Sequence, residues 1–171
     1  LNKLNKIKRN SLLVTSANPY EGKTFTAINL GVSIAQEFDR TVLLVYCDLK
    51  SHSKPHKNLG VDFLGIQVDK GLTNYLLNQS NLPDLLFNPG IERLVILPAG
   101  KPIPNSAEML GSAKMDMLVR DIKCRYPEDR IVIFDTSSLL ASADPLVLTR
   151  FVDGILLVVE EEKTTTNDIK K

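Results

Sequence analysis

Residues 16–24 read SANPYEGKT, and the apolar run Leu12-Leu13-Val14 stands just before them. An apolar helical pattern follows, from Phe25 to Phe38. A strand, a loop of small residues, and Gly-Lys-Thr opening a helix make up the context a nucleotide phosphate needs. Ala17-x4-Gly22-Lys23-Thr24 matches the phosphate loop, with Ala in place of its first Gly. The segment Ala17, Asn18, Pro19, Tyr20, Glu21, Gly22, Lys23, Thr24 and Phe25 is the expected cofactor-binding stretch. Its backbone N–H groups wrap the phosphates, and the helix N-terminus adds a favourable dipole. Lys23 reaches the outer phosphates and Thr24 can set its hydroxyl on Mg2+. The blander reading, a helix start with a chance Gly-Lys-Thr, loses ground once a strand precedes the loop and a buried helix follows it.

Outward from this loop, strand and helix signals alternate. Ser11 to Ser16 reads as the first strand and Thr24 to Phe38 as a helix. Ala27, Ile28, Leu30, Val32, Ile34 and Ala35 cover most of that helix's circumference, which predicts that it is largely buried. Thr41 to Asp48 is a second strand, Gly71 to Asn78 a short helix, and Arg93 to Pro98 a third strand. Asn105 to Tyr126 is predicted as one long helix. Asn105 and Glu108 form a capping-box signature at its start. Leu110, Ala113, Met117, Leu118 and Ile122 give it an apolar stripe. Ile131 to Asp135 and Gly154 to Val159 complete five strands. The strands are continuous apolar runs rather than alternating ones, as expected when both faces of a sheet are covered. The predicted class is α/β: a doubly wound, mostly parallel sheet in three α/β/α layers, the architecture of a phosphate-loop NTPase.

The chain has 171 residues, the size of one domain, with 21 Lys plus Arg against 20 Asp plus Glu. A formal charge of +1 argues against a general nucleic-acid binder. Two cysteines, Cys47 and Cys124, make no disulfide framework, and a reduced cytosol is the simplest setting. No apolar run approaches the ~20 residues that span a bilayer. The chain starts at Leu1 without Met, and residues 1–171 are expected to be a single nucleotide-binding domain cut from a longer protein.

Two further elements carry chemistry. Ile131-Val132-Ile133-Phe134-Asp135 places an Asp just past a buried strand, where it can hold Mg2+ through water in the Walker B manner. Without the phosphate loop this Asp would read as an ordinary turn residue. Leu43-Leu44-Val45-Tyr46-Cys47-Asp48-Leu49-Lys50 is the other. With it, the ordered set VTSANPYEGKTFTAINL, LLVYCDLK, LVILPAGKPIPNSAEMLGS, IVIFDTSSLLASADPLVL and VDGILLVVEE resembles the bacterial tyrosine autokinases of exopolysaccharide and capsule synthesis. Those belong to the wider deviant phosphate-loop ATPases, with the septum-site and plasmid-partition proteins. The resemblance runs from about residue 9 to 168, nearly the whole chain. The early loop Lys usual in the partition type is absent from residues 17–21.

The resemblance implies ATP or ADP with Mg2+ as cofactors and phosphoryl transfer to protein tyrosine. Lys23, Asp48 and Asp135 are the implied catalytic residues, and Thr24, Asp48 and Asp135 the implied metal-shell residues. It also implies a membrane-anchored activator of the polysaccharide co-polymerase kind, a homo-oligomer when complete, and a cytoplasmic place at the inner face of the plasma membrane. The chain departs from the pattern at several points. The Walker A′ element Asp-x-Asp-x-Arg reads Tyr46-Cys47-Asp48-Leu49-Lys50, so its first carboxylate is a phenol. A Tyr with an ordinary pKa of roughly 10 is protonated at neutral pH and cannot replace a carboxylate unaided. Lys50 keeps the charge of Arg but loses its fork. Thr136 follows Asp135 where Pro is common, and Tyr20 stands where Gly is common. The Tyr-rich tail, and a last helix and strand after Asp168, are expected outside this chain. Tyr20, Tyr46, Tyr75 and Tyr126 are scattered instead of clustered. Tyr46 supports a second reading, a degenerate nucleotide-binding regulator of the same system. A partition-type ATPase is the third.

His52 and His56 lack the further ligands zinc needs. The basic run Lys50 to Lys57 reads as a solvated face or a contact for an acidic partner. Asp144 reads as a turn or helix-start residue that could also sense nucleotide. Glu160-Glu161-Glu162 reads as a solvated strand end.

Overall fold

The computed structural model describes residues 10–37, 39–50, 68–125 and 129–170. Five strands form one sheet: β1 (Ser11–Ser16), β2 (Thr41–Tyr46), β3 (Leu94–Leu97), β4 (Arg130–Asp135) and β5 (Gly154–Val158). Their order is β3-β2-β4-β1-β5, and each neighbouring pair is parallel. Leu43, Leu44 and Val45 are consecutive and all buried, as are Val132, Ile133 and Phe134. Successive strand residues point to opposite faces, so both faces of the sheet's centre are covered, as the unbroken apolar runs require. β5 stands at an edge, and its Ile155 is 55% exposed.

The helices are α1 (Lys23–Ala35), α2 (Leu72–Leu76), α3 (Ser106–Leu110), α4 (Ala113–Arg125), α5 (Asp144–Leu148) and α6 (Thr166–Lys170), with 3-10 turns at Leu82–Leu85 and Thr149–Phe151. α1 is less enclosed than its composition suggests. It buries Ala27, Ile28, Gly31 and Ala35, leaves Leu30, Val32 and Ile34 partly covered, and exposes Phe25, Asn29 and Ser33.

The helix expected from Asn105 to Tyr126 is two helices, and the joint has a local cause. Gly111 closes α3, its N–H donating to Ala107 O at 2.9 Å. Ser112 then caps α4: its Oγ accepts from Met115 N at 3.3 Å and donates to Met109 O at 2.7 Å. The break resets the helical phase. Met115, Leu118, Val119 and Ile122 face the core with Leu110. Ala113 and Met117, placed on the stripe by an unbroken helix, are exposed. Asn105 stands at the start of α3 without a side-chain cap, so the capping box with Glu108 is not formed. Tyr126 lies outside the described residues.

The topology decides where a ligand can sit. The chain leaves β1 through α1 and enters β2, two places away; β4 later fills the slot between them, and β5 flanks β1 on the other side. Strand order therefore reverses between β1 and β4, which opens a crevice at their carboxyl ends. In register, Asp135 on β4 stands beside Val14 of β1 and Tyr46 of β2.

Candidate functional site

The loop between β1 and α1 is a tight backbone turn. Gly22 sits at φ 85°, in the left-handed region. A Cβ there would meet nothing within 4 Å, so the demand for Gly is conformational and not steric. Tyr20 also has a positive φ, 69°, and its side chain is 78% exposed. Thr26 N donates to Gly22 O at 2.9 Å and starts α1. The segment after β4 backs the loop: Leu139 N donates to Ser16 O at 2.8 Å, Leu140 N to Ala17 O at 3.1 Å, and Thr15 Oγ1 to Ser137 O at 2.8 Å.

Asp135 is the best-defined acidic group of this edge. It is 2% exposed, and the Thr24 side chain lies close enough to its carboxylate to favour the charged form. Its Oδ1 is buried without a partner among the described residues. Burial pushes its carboxyl up to about 7; the nearby Thr24 side chain and the Lys23 charge pull it down, and Asp48 adds to the rise. Lys23, Thr24, Asp48 and Asp135 thus share one locality, assembled from three strand ends and the first turn of α1.

The donor set suits Mg2+. Thr24, Asp48 and Asp135 carry hard oxygen atoms of the kind Mg2+ takes as ligands, and the orphaned Oδ1 of Asp135 is a position a cation would satisfy. Among the described residues no group of three or more His, Cys, Asp or Glu could hold a metal alone.

β2 ends at Tyr46, so Asp48 lies just beyond the strand, partly exposed. Cys47 N donates to Asp135 O at 2.7 Å and ties this turn to β4. Ile103 N donates to Leu49 O at 3.0 Å, which anchors the Pro-rich segment after β3 against it. Tyr46 is 5% exposed, and its hydroxyl has no hydrogen-bond partner among the described residues. Burial, with the charge of Asp135 beside it, pushes the phenol well above its ordinary value. It is a neutral phenol throughout the physiological range.

Asp144 is fully buried at the start of α5, where its Oδ1 accepts from Ser106 Oγ at 2.9 Å and lies 3.9 Å from Lys50 Nζ. It thus joins α3 and the turn after β2 to α5. His52, His56 and the basic run beyond Lys50 fall outside the described residues. The sequence singled out Glu21 for its place in the loop but not its partners. Its carboxylate accepts from Asn18 N at 2.8 Å, from Asn18 Nδ2 at 3.1 Å and from Thr164 Oγ1. Thr164 lies 143 residues away and carries no local signal.

No family model matches the chain. It is 37% identical to the tyrosine-protein kinase YwqD of Bacillus subtilis over 161 residues, covering 94% of this chain and 64% of that protein. Among solved structures, the kinase domain of VpsO superposes with a TM-score of 0.83 at 32% identity, covering 95% of this chain and 75% of that one. The septum site-determining protein MinD of Pyrococcus horikoshii, solved with Mg-ADP, shares the fold with a TM-score of 0.72 at 22% identity, covering 93% and 61%. The chain therefore spans somewhat under two thirds of the Bacillus kinase's length.

Proposed function

Because the chain belongs to the bacterial tyrosine kinases, we propose that it is the ATP–Mg2+-binding domain of a kinase that autophosphorylates on tyrosine and so regulates exopolysaccharide or capsule export. The observation that carries this reading is the meeting of Asp135 with Thr24, Lys23 and Asp48 at one sheet edge. Lys23 stabilises charge on the transferred phosphoryl group. The N–H groups of residues 20–24 hold the phosphates in line with the helix dipole. Thr24 and Asp135 position Mg2+, and Asp48 completes that side of the site. Bound Mg2+ would neutralise charge on the phosphate oxygens. Phosphoryl transfer needs positioning and electrostatics above all, and these residues supply both.

In the same reading the domain works in the cytoplasm at the inner face of the plasma membrane, beside a membrane-anchored activator, and assembles into a homo-oligomer when complete. No helix among the described residues is long and apolar enough to cross a membrane.

Tyr46 favours a second reading: a domain that binds nucleotide and regulates export without efficient transfer. A buried neutral phenol at a Walker A′ carboxylate position cannot take a proton from an attacking hydroxyl. The MinD-type ATPase remains a third reading on fold alone. The test is phosphotyrosine formation by the full-length protein with ATP and Mg2+, wild type against Lys23→Ala. Transfer by the wild type and none by the variant supports the kinase. Nucleotide binding without transfer by either supports the regulator. No nucleotide binding by the wild type defeats both.

A further inference from the structure

The segment after β5 reaches back to the phosphate loop through one hydroxyl. Thr164 Oγ1 accepts from the Glu160 backbone N–H at 2.8 Å and donates to Glu21 Oε1. Glu160 O in turn accepts from Thr164 N at 2.9 Å, so the turn is closed on itself before it touches Glu21. Glu21 Oε2 accepts from Asn18 N at 2.8 Å and Oε1 from Asn18 Nδ2 at 3.1 Å. The carboxylate is 7% exposed. Burial alone would raise its pKa, but the bonds from Thr164 and Asn18 outweigh burial and hold it below the usual carboxylate range.

An anion inside a loop that surrounds phosphate is an electrostatic conflict. Among residues 17–24 Glu21 is the sole acidic side chain and Lys23 the sole basic one. The conflict is smallest when the carboxylate is turned aside and its charge drawn onto donors. Asn18 supplies two donors from within the loop, which move with it. Thr164 supplies one from outside, on a turn braced by β5, whose Val158 pairs in register with Ser16 at the loop's root.

We infer that Thr164 is a positioning residue of the nucleotide site: its hydroxyl holds the Glu21 carboxylate on the β5 side of the phosphate loop, away from the phosphates, and so couples the conformation of the turn after β5 to nucleotide affinity. This rests on the nucleotide-binding reading above. A purely structural staple would predict a loss of stability whatever the charge at position 21. The positioning role predicts a loss of affinity that depends on that charge.

The experiment measures the dissociation constant of ADP–Mg2+ for the full-length protein by calorimetry, in wild type, Thr164→Val, Thr164→Ser, Glu21→Gln and the Thr164→Val/Glu21→Gln pair. Thr164→Val is expected to weaken binding about tenfold, the order of one hydrogen bond to a charged group. Thr164→Ser should bind like the wild type. In the Glu21→Gln background, adding Thr164→Val should change affinity less than twofold, since no carboxylate remains to be held. Equal losses from Thr164→Val in both backgrounds, or no loss in either, overturn the inference while leaving nucleotide binding intact. If Thr164→Val does not fold, Glu21→Gln decides alone: binding at least as tight as wild type supports the inference, and tenfold weaker binding overturns it. A wild type that does not bind ADP–Mg2+ overturns the underlying reading instead.

Discussion

Tyr46 and Asp135 stand opposite one another in the parallel β2–β4 pair, and each buries an oxygen that no group among the described residues satisfies. The two deficits differ in kind. The open oxygen of Asp135 is one that a bound cation would satisfy. The Tyr46 hydroxyl is a cost in the ligand-free protein, because a buried polar group without a partner loses its water and gains nothing. Tyr46→Phe should therefore raise stability by about 1 kcal/mol, seen as a melting temperature higher by roughly 2–4 °C. An unchanged or lowered melting temperature would mean that the hydroxyl is satisfied in solution.

Tyr46→Asp tests catalysis at the same position. If the missing carboxylate is what limits transfer, the substitution should raise phosphotyrosine formation by roughly 10²–10⁴, the worth of a positioned base. The measurement is made on the full-length protein with its activator at saturating ATP. Robust wild-type transfer that the substitution leaves unaltered would show that Asp48 or another group suffices.

Asp135 makes stability and binding respond to pH in opposite senses. Its carboxyl titrates near 7 in the folded protein but near 3.9 when unfolded. Between those values the native state holds a proton that the unfolded chain has lost, so ligand-free stability falls as pH rises through that window. Asp135→Asn should flatten the dependence and exceed the wild type in stability at pH 8 by an amount on the order of a few kcal/mol. Mg2+ needs the ionised form, so wild-type affinity for ADP–Mg2+ should drop as pH falls below about 7. Urea unfolding and calorimetry from pH 5 to 8 check both arms. Parallel curves for wild type and variant would remove Asp135 as the titrating group.

Lys23→Ala should remove most of the stabilisation that nucleotide confers. A ligand at a hundredfold excess over its dissociation constant stabilises by about 2.7 kcal/mol. For the wild type, melting temperature should climb with ADP–Mg2+; for the variant it should stay nearly flat. An equal climb in both would place the phosphate elsewhere.

The two left-handed residues of the loop should respond oppositely to exchange. Gly22→Ala forces a side chain to φ 85° with no clash and should cost about 1–2 kcal/mol. Tyr20→Gly relieves the same strain and forfeits little burial, since the ring is 78% exposed. It should be neutral or stabilising by up to about 1 kcal/mol, after the added freedom of the unfolded chain is counted. Unfolding midpoints of the two variants settle the comparison.

The sequence made some of this geometry legible and hid the rest for physical reasons. Strands buried on both faces announce themselves as unbroken apolar runs, so five strands and a parallel sheet could be read at residues 11–16, 41–48, 93–98, 131–135 and 154–159, each within two residues of the strand observed. Motif spacing placed Lys23, Thr24, Asp48 and Asp135 at strand ends, and the strand order brings those ends to one edge. The Gly111-Ser112 joint was missed because Gly and Ser within a helical pattern weaken it without breaking its period. The exposure of Met117 follows from that miss. The Tyr46 substitution was visible as a departure, but its burial and unpartnered hydroxyl depend on what packs around it. The Glu21–Thr164 bond joins residues no window spans.

The strand order also sets a schedule for synthesis. β1 is made before the other four strands, yet its neighbours β4 and β5 are encoded about 120 and 140 residues later. At roughly 5–20 residues per second, the phosphate loop waits on the order of ten seconds before the strands that brace it exist. For that interval an apolar segment, Leu12-Leu13-Val14, and the loop behind it have no sheet to join. A nascent chain that stalls before residue 130 exposes them while β4, with Asp135, and β5 do not yet exist, so the nucleotide site is still incomplete.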